Sequence, residues 1–120
     1  MVLDSKKKSL LCAKAALDKK ALNLVVLEIK ELSSIADYFI ICSGKSDRQV
    51  RGIAYSIEEN LKKIGISPLG IEGFSAAKWI LLDYDDVIIH VFYEPIREFY
   101  DLEGLWVDVP RVEVNGQVTK

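Results

Sequence analysis

The chain has few of the residues that cross-link a protein or bind metals, and it has no long apolar run. Its 120 residues include two cysteines, one histidine and three prolines. No apolar run reaches the roughly 18 residues that a membrane-spanning helix needs. The lysines at 6–8 are not followed by a long apolar stretch, and the segment is not rich in arginine. We therefore expect neither a secretory signal nor a transit peptide, and no contact with a membrane.

The few potential metal ligands are scattered along the chain. Cys12 and Cys42 stand far apart among apolar residues, which favours reduced thiols in a cytoplasmic protein; a disulfide is the alternative. His90 is the only histidine, so a four-ligand zinc site cannot be assembled from these three residues. We expect no metal and no cofactor.

The composition, 50% hydrophobic and 28% charged, is typical of a globular domain, and we assign residues 1–120 to a single one. Apolar residues at helical spacing predict a first helix over 5–20. Ser46 begins a second helix as its cap, Gln49 is placed to close a capping box, and Gly65 ends the helix. The predicted buried stripe of this second helix is Val50, Ile53, Ala54, Ile57, Leu61 and Ile64.

The remaining segments alternate between strands and loops. Strands are predicted over 23–30, 38–43, 78–84 and 87–92, with a two-residue turn at Asp85–Asp86 and a loop over 66–77. Residues 96–106 are predicted to form one or two short helical turns, and 111–120 a frayed strand or a disordered tail. The order α-β-β-α-β-β plus a short C-terminal helix predicts an α/β fold with a single mixed sheet packed against helices. The strand at 38–43, the second helix and the strand at 78–84 form a right-handed crossover if those two strands pair in parallel.

Three segments invite a chemical role, and each has a simpler explanation. The turn at 43–47 follows a strand and opens a helix, as phosphate-binding turns do, but it lacks the P-loop pattern. A two-metal transferase site would need a carboxylate two residues after Asp47, where Gln49 stands. Asp83, Asp85 and Asp86 could hold a hard cation, although a solvated hairpin tip explains them as well. His90 could serve as an acid or base, but no nucleophile is paired with it, which favours a packed or interfacial histidine.

Charge and aromatic residues indicate a protein-binding surface instead. Residues 1–65 carry 12 Lys/Arg and 8 Asp/Glu, whereas residues 66–109 carry 2 and 9. The acidic second half would repel phosphate and attract a basic protein surface. Aromatic residues lie among these acids, and large aromatic anchors inside a charged rim are typical of binding hot spots. The predicted contact residues are Trp79, Asp83, Tyr84, Asp85, Asp86, Tyr100 and Trp106; a purely structural role for the aromatics is the alternative.

Four ordered blocks of sequence resemble one family, that of the ribosomal silencing factors (RsfS, or Iojap-like). Residues 32–50, LSSIADYFIICSGKSDRQV, are similar to its L-S-S-x-x-D-Y-F-V-I-x-S/T-G-x-S-x-x-Q-V pattern. Residues 68–73, PLGIEG, resemble its P-x-x-x-E-G loop, and residues 79–92, WILLDYDDVIIHVF, resemble its W-x-L-x-D block. Residues 97–106, REFYDLEGLW, resemble its closing R-x-F/Y-Y-x-L-E-x-L-W.

The resemblance implies a nucleotidyltransferase-like fold without the catalytic carboxylates, and therefore no enzymatic activity. It also implies binding to the large ribosomal subunit through ribosomal protein number fourteen, which would block subunit joining and repress translation. Homodimers are common in the family, and no sequence-specific contact with nucleic acid is implied. Two other functions stay open, a large-subunit assembly factor and a nucleotidyltransferase-like enzyme.

Overall fold

The structure, a computed structural model, describes residues 3–114 and 117–118. Its α-helices are α1 Ser5–Leu17, α2 Asp47–Lys62 and α3 Glu94–Tyr100, and a 3-10 helix spans Leu102–Trp106. Its strands are β1 Leu22–Glu28, β2 Tyr38–Gly44, β3 Gly70–Glu72, β4 Trp79–Asp83, β5 Val87–Tyr93, β6 Glu113–Val114 and β7 Gln117–Val118. The predicted α/β class and element order are confirmed. The one strand missed before the C-terminal segment is β3, which lies within the predicted loop.

Local interactions define the ends of α2. The Ser46 side chain accepts a hydrogen bond from the backbone N–H of Gln49, as predicted for a helix cap. The Gln49 side chain reaches back to the N–H of Lys45 and not to that of the cap residue. Gly65, with a φ of 81°, turns the chain away. The prediction that Ile64 is buried is wrong, because it follows the last helical turn and is 51% exposed.

The main sheet has the strand order β1-β2-β5-β4-β3. β2 and β5 lie at its centre and are parallel, with Ile40 opposite Ile89, and the other pairs are antiparallel. The condition for a crossover between β2 and the predicted strand at 78–84 is not met, because that strand, β4, does not pair with β2. β4 turns back in a hairpin through Asp85–Asp86, so the parallel partner of β2 is the following strand, β5.

The two faces of the sheet are covered differently. α1 and α2 lie on the first face and bury a large apolar cluster that includes Cys12, Ile53, Ile57 and Leu61. The second face carries a smaller cluster, which is covered by the C-terminal segment from α3 to Val109. All seven residues of β2 are buried, which confirms that both of its faces are covered.

The end of the described chain returns to the sheet. The N–H of Glu28 donates to the carbonyl of Pro110, and the N–H of Val112 donates to the carbonyl of Val26, so this segment lines the outer edge of β1. β6 and β7 then pair as a small antiparallel ribbon. The predicted tail at 111–120 includes residues 115, 116, 119 and 120, which lie outside the described residues.

Candidate protein-interaction surface

An aromatic cluster occupies the second face of the sheet, with Trp79 at its centre. The ring centroid of Trp79 lies 4.8 Å from that of Phe92 and 5.1 Å from that of Tyr100. Its indole Nε1 donates a hydrogen bond to Nδ1 of His90 at 3.1 Å. Because the rings interlock and one of them is anchored by a directed hydrogen bond, the cluster has a defined shape. We call it the aromatic cluster: Phe39, Trp79, His90, Phe92, Tyr100 and Trp106.

His90 is a packed histidine, as predicted for the packed alternative. Its side chain is 5% exposed, and its ring lies 4.9 Å from that of Phe39 in an edge arrangement. Since Nδ1 accepts the indole hydrogen bond, the neutral ring carries its proton on Nε2. Burial lowers the pKa of His90 to about 4. The ring is therefore neutral at physiological pH and serves the packing of the cluster.

Apolar side chains project from the C-terminal helical segment into solvent. The exposed fractions are 80% for Phe99, 54% for Tyr100, 75% for Leu105 and 69% for Val107. They alternate with the exposed acids Glu98, Asp101 and Asp108. Several exposed apolar side chains on one short segment are unusual for an isolated surface and are typical of a binding surface.

A buried arginine fixes this segment on the sheet. The Arg97 guanidinium donates to Ser43 Oγ at 3.0 Å and to the Leu22 carbonyl at 3.3 Å, and its Nη2 lies 2.6 Å from Glu103 Oε2. Although burial opposes the effect, the hydrogen bonds and charge of Arg97 lower the pKa of Glu103. Sequence patterns alone gave no role to Arg97 or Glu103. The available signal was a lone arginine within an acidic stretch, six residues before a glutamate in the last family block.

The acidic turn between β4 and β5 stands apart from the aromatic cluster. Asp85 is exposed in the left-handed region with a φ of 73°, and its N–H donates to Asp83 Oδ1 at 2.8 Å. Asp86 instead forms an ion pair with Lys8 of α1 at 2.6 Å. Asp83 lies at the end of β4 and, by strand alternation, on the same face as Trp79. The two groups of predicted contact residues therefore share β4 but occupy its opposite ends.

Tyr84 does not belong to this surface. Its side chain is 2% exposed and packs in the cluster under α1 and α2. Alternation along β4 puts Ile80 and Leu82 on the first face, and Tyr84, the residue after the strand, continues that row. Tyr84 therefore presents no side chain to a partner, and the remaining predicted contact residues are half-buried or exposed.

The loop between β1 and β2 adds a second apolar element beside the acidic turn. Leu32 and Ile35 are each 64% exposed. The N–H of Asp37 donates to the carbonyl of Asp86 at 2.8 Å, which holds the loop against the turn. In the sequence these residues stood out only as part of a family block, because a loop has no regular periodicity from which exposed positions can be predicted.

The turn at Ser43–Asp47 carries one carboxylate, Asp47, and is held in place by the Gln49 side chain. The Gln49 amide is engaged by the backbone of residues 19, 20 and 45, and Asp47 lies 3.9 Å from Arg51. In the part of the chain that the structure describes, no three His, Cys, Asp or Glu residues converge as a metal site.

Cys12 and Cys42 are free and buried, as predicted, and burial raises the pKa of each thiol to about 12. No helix among the described residues is long and apolar enough to cross a bilayer.

These features belong to a mixed α/β domain with exposed aromatic and apolar side chains on one segment. The family model described as "Ribosomal silencing factor during starvation" matches residues 2–120. The chain is 42% identical to the ribosomal silencing factor RsfS of Halalkalibacterium halodurans over 91% of this chain and 93% of that protein. It is 41% identical to RsfS of Bacillus subtilis, over 88% of this chain and 89% of that protein.

A solved structure and a more distant relative are similar to this chain as well. A crystal structure of a protein from Chromobacterium violaceum superimposes with a TM-score of 0.85 at 33% identity, covering 88% of both chains. A mouse protein named "Mitochondrial assembly of ribosomal large subunit protein 1" is 31% identical over 73% of this chain. The matched region covers 40% of the mouse protein. The chain belongs to the RsfS family of ribosomal silencing factors.

Proposed function

We propose that this protein binds the large ribosomal subunit through ribosomal protein number fourteen, on the face where the small subunit docks, and so represses translation by preventing subunit joining. The single observation that carries the proposal is the aromatic cluster on the second face of the sheet, beside which the C-terminal segment exposes apolar side chains and acidic residues. Membership of the silencing-factor family supports the ribosome as the target.

The proposed mechanism is steric and needs no chemistry. A rigid body on the docking face excludes the small subunit as long as it stays bound. An interface of standard size, about 800 Å² on each partner, is within reach of a single domain of this size. The Arg97–Glu103 pair supports such a role because it holds the exposed C-terminal segment in one arrangement. The protein is proposed to act without a cofactor, in the cytoplasm, and as a homodimer when free.

The proposed contact surface unites two areas of different chemistry. Tyr100, Trp79 and Trp106 supply aromatic area, and the first of these is the most exposed. Asp83, Asp85 and Asp86 supply negative charge, which would attract a basic ribosomal protein and orient it during approach. Because Asp86 is already paired with Lys8, Asp85 contributes the most available charge in the turn.

Co-sedimentation tests the proposal most simply. The purified protein is mixed with separated large and small subunits and, in parallel, with isolated ribosomal protein number fourteen. Recovery with large subunits and with the isolated protein, but not with small subunits, is expected. Equal recovery with both subunits, or no binding to the isolated protein, would contradict it.

A role in large-subunit assembly is the second candidate. It is favoured by the mouse relative, whose name refers to assembly of the mitochondrial ribosomal large subunit. The same surface could bind the same ribosomal protein during maturation without blocking mature subunits. Depletion of the protein separates the two functions: assembly predicts accumulation of immature large subunits, whereas silencing predicts normal large subunits that join more readily.

A further inference from the structure

Four cations with no role in the proposed contact surface lie together at one corner of the fold. Lys19 and Lys20 form the turn after α1, Lys45 precedes α2, and Arg48 lies in the first turn of α2. All four are exposed. None has a carboxylate of the described chain within salt-bridge distance. We call these four residues the basic corner.

One amide side chain fixes the backbone of this corner. Gln49 Nε2 donates to the carbonyls of Lys19 at 3.3 Å and Lys20 at 3.1 Å. Its Oε1 accepts from the N–H of Lys45 at 2.7 Å. Three lysines from two separate segments therefore converge on a single residue. The clustering is a property of the folded backbone and does not depend on where flexible side chains happen to lie.

Nearby acids do not cancel the charge of the corner. Asp18 and Asp47 are the adjacent carboxylates, and Asp47 lies 3.9 Å from Arg51. The acids Glu94 and Glu98 of α3 lie at the same end of the sheet, but they line a different cavity with Asn23 and Ser43 on the second face. Asp101 and Glu103 line that cavity as well, and its Arg97 pairs with Glu103. The acidic turn at Asp85 is farther away, at the other end of β2, about 20 Å along the strand.

We propose that the basic corner binds the phosphate backbone of ribosomal RNA while the acidic and aromatic surface binds ribosomal protein number fourteen. This inference rests on the proposed function for its target. Exposed, unpaired lysine and arginine side chains on one patch are the electrostatic requirement for phosphate contacts. No aromatic residue belongs to the corner, so it offers no platform for stacking bases, and the contact is with phosphates irrespective of sequence. A protein whose acidic turn and basic corner lie about 20 Å apart along β2 suits a site where a basic protein and RNA meet.

The test compares two variants with equal changes in net charge. In the corner variant, Lys19, Lys20, Lys45 and Arg48 are each replaced by Gln; in the control variant, Lys6, Lys30, Lys62 and Lys63 are each replaced by Gln. All eight residues are exposed. The Gln49 hydrogen bonds use backbone atoms of the lysines, so they survive the substitutions, and thermal unfolding verifies that both variants are folded.

Three titrations distinguish the outcomes. Binding to protein-free large-subunit RNA is measured first, and the corner variant should bind at least about tenfold more weakly than the control variant in low salt. On intact large subunits, the slope of log affinity against log salt concentration should fall by about 0.7–0.9 for each phosphate that the corner variant no longer neutralises. Binding to isolated ribosomal protein number fourteen should be unchanged.

Equal weakening by both variants would overturn the inference, because it would reflect net charge alone. Unchanged binding of the corner variant to protein-free RNA would overturn it as well. Failure of the wild-type chain to bind the isolated ribosomal protein would instead contradict the proposed function, and that result is independent of the RNA titration.

Discussion

Trp79 and His90 form a hydrogen-bonded pair in which the indole Nε1 donates to the imidazole Nδ1 at 3.1 Å. The pair joins neighbouring antiparallel strands on the second face of the sheet. It requires a neutral histidine, since a protonated imidazole has no lone pair to accept the bond. The aromatic cluster is thereby coupled to pH.

The first prediction concerns the pH dependence of stability. The pKa of His90 falls from 6.5 in the unfolded chain to about 4 in the fold. The contribution of the neutral His90 to the free energy of unfolding is therefore fully present above pH 6.5. It is lost as the pH falls from 6.5 toward 4, and the total loss is up to roughly 3 kcal/mol. Urea unfolding at pH 7 and pH 5 measures it. His90→Asn keeps an acceptor without titrating here, so the difference between the two pH values should shrink; an unchanged difference would refute the assignment.

The second prediction concerns the exposed aromatic residue of the contact surface. Tyr100→Ala should weaken binding to large subunits about tenfold or more, because exposed aromatic residues beside packed ones are frequent hot spots. Tyr55→Ala is the matched control, since Tyr55 is 57% exposed on α2 and Tyr100 is 54% exposed. Similar affinities for the two variants would place the contact elsewhere, and the loop with Leu32 and Ile35 would be the next surface to test.

The third prediction concerns charge. Asp85→Lys combined with Glu98→Lys should weaken binding and flatten its salt dependence, since exposed charges at the rim of an interface act mainly on association. Asp86 is left intact because a lysine there would face Lys8 and destabilise the fold. The control pair is Glu59→Lys with Glu113→Lys, on the opposite side of the sheet. Surface plasmon resonance at several salt concentrations measures both, and identical slopes would contradict the acidic surface.

The fourth prediction concerns the segment held by Arg97. Glu103→Gln removes the charge that pairs with a buried guanidinium, and we expect a loss of roughly 1–3 kcal/mol in the free energy of unfolding. Hydrogen exchange should accelerate at residues 98–107 more than in α2. Exchange that rises uniformly, or not at all, would show that the pair does not anchor the segment.

The fifth prediction separates stability from binding. Ile57→Ala should cost about 2–5 kcal/mol, because Ile57 is fully buried and truncation leaves a cavity under α2. Ribosome binding of the fraction that remains folded should match the wild type. Calorimetry and binding at a temperature well below the transition test this; a folded variant with weakened binding would mean that the helical face contributes to the contact.

Periodic and local signals predicted the fold well. The cap at Ser46, the glycine at Gly65 and the apolar runs of β4 and β5 on either side of a two-residue turn each depend on neighbouring residues, so they can be recognised in a sequence. The strand β3 was missed because it has three residues in a Pro/Gly-rich segment. Its neighbour Gly73 has a φ of 81°, and a Cβ there would collide with the backbone of Trp79. This explains the glycine in the second family block.

The surface was only partly predictable because exposure depends on contacts between distant segments. Tyr84 lies among the acids of its block, but alternation along β4 puts it on the face opposite Trp79, beneath the helices. Asp86 looked free until Lys8, 78 positions away, proved to pair with it. Arg97 and Glu103 have a structural role that required knowing that Ser43 and Leu22 lie within reach.

A subunit-joining assay gives the most direct test of the steric mechanism. Large subunits saturated with the protein are mixed with small subunits, and formation of whole ribosomes is followed by light scattering. Joining should fall in proportion to occupancy, and Tyr100→Ala at the same total concentration should restore it, whereas Tyr55→Ala should not. Undiminished joining by large subunits that demonstrably carry the protein would contradict the proposed mechanism.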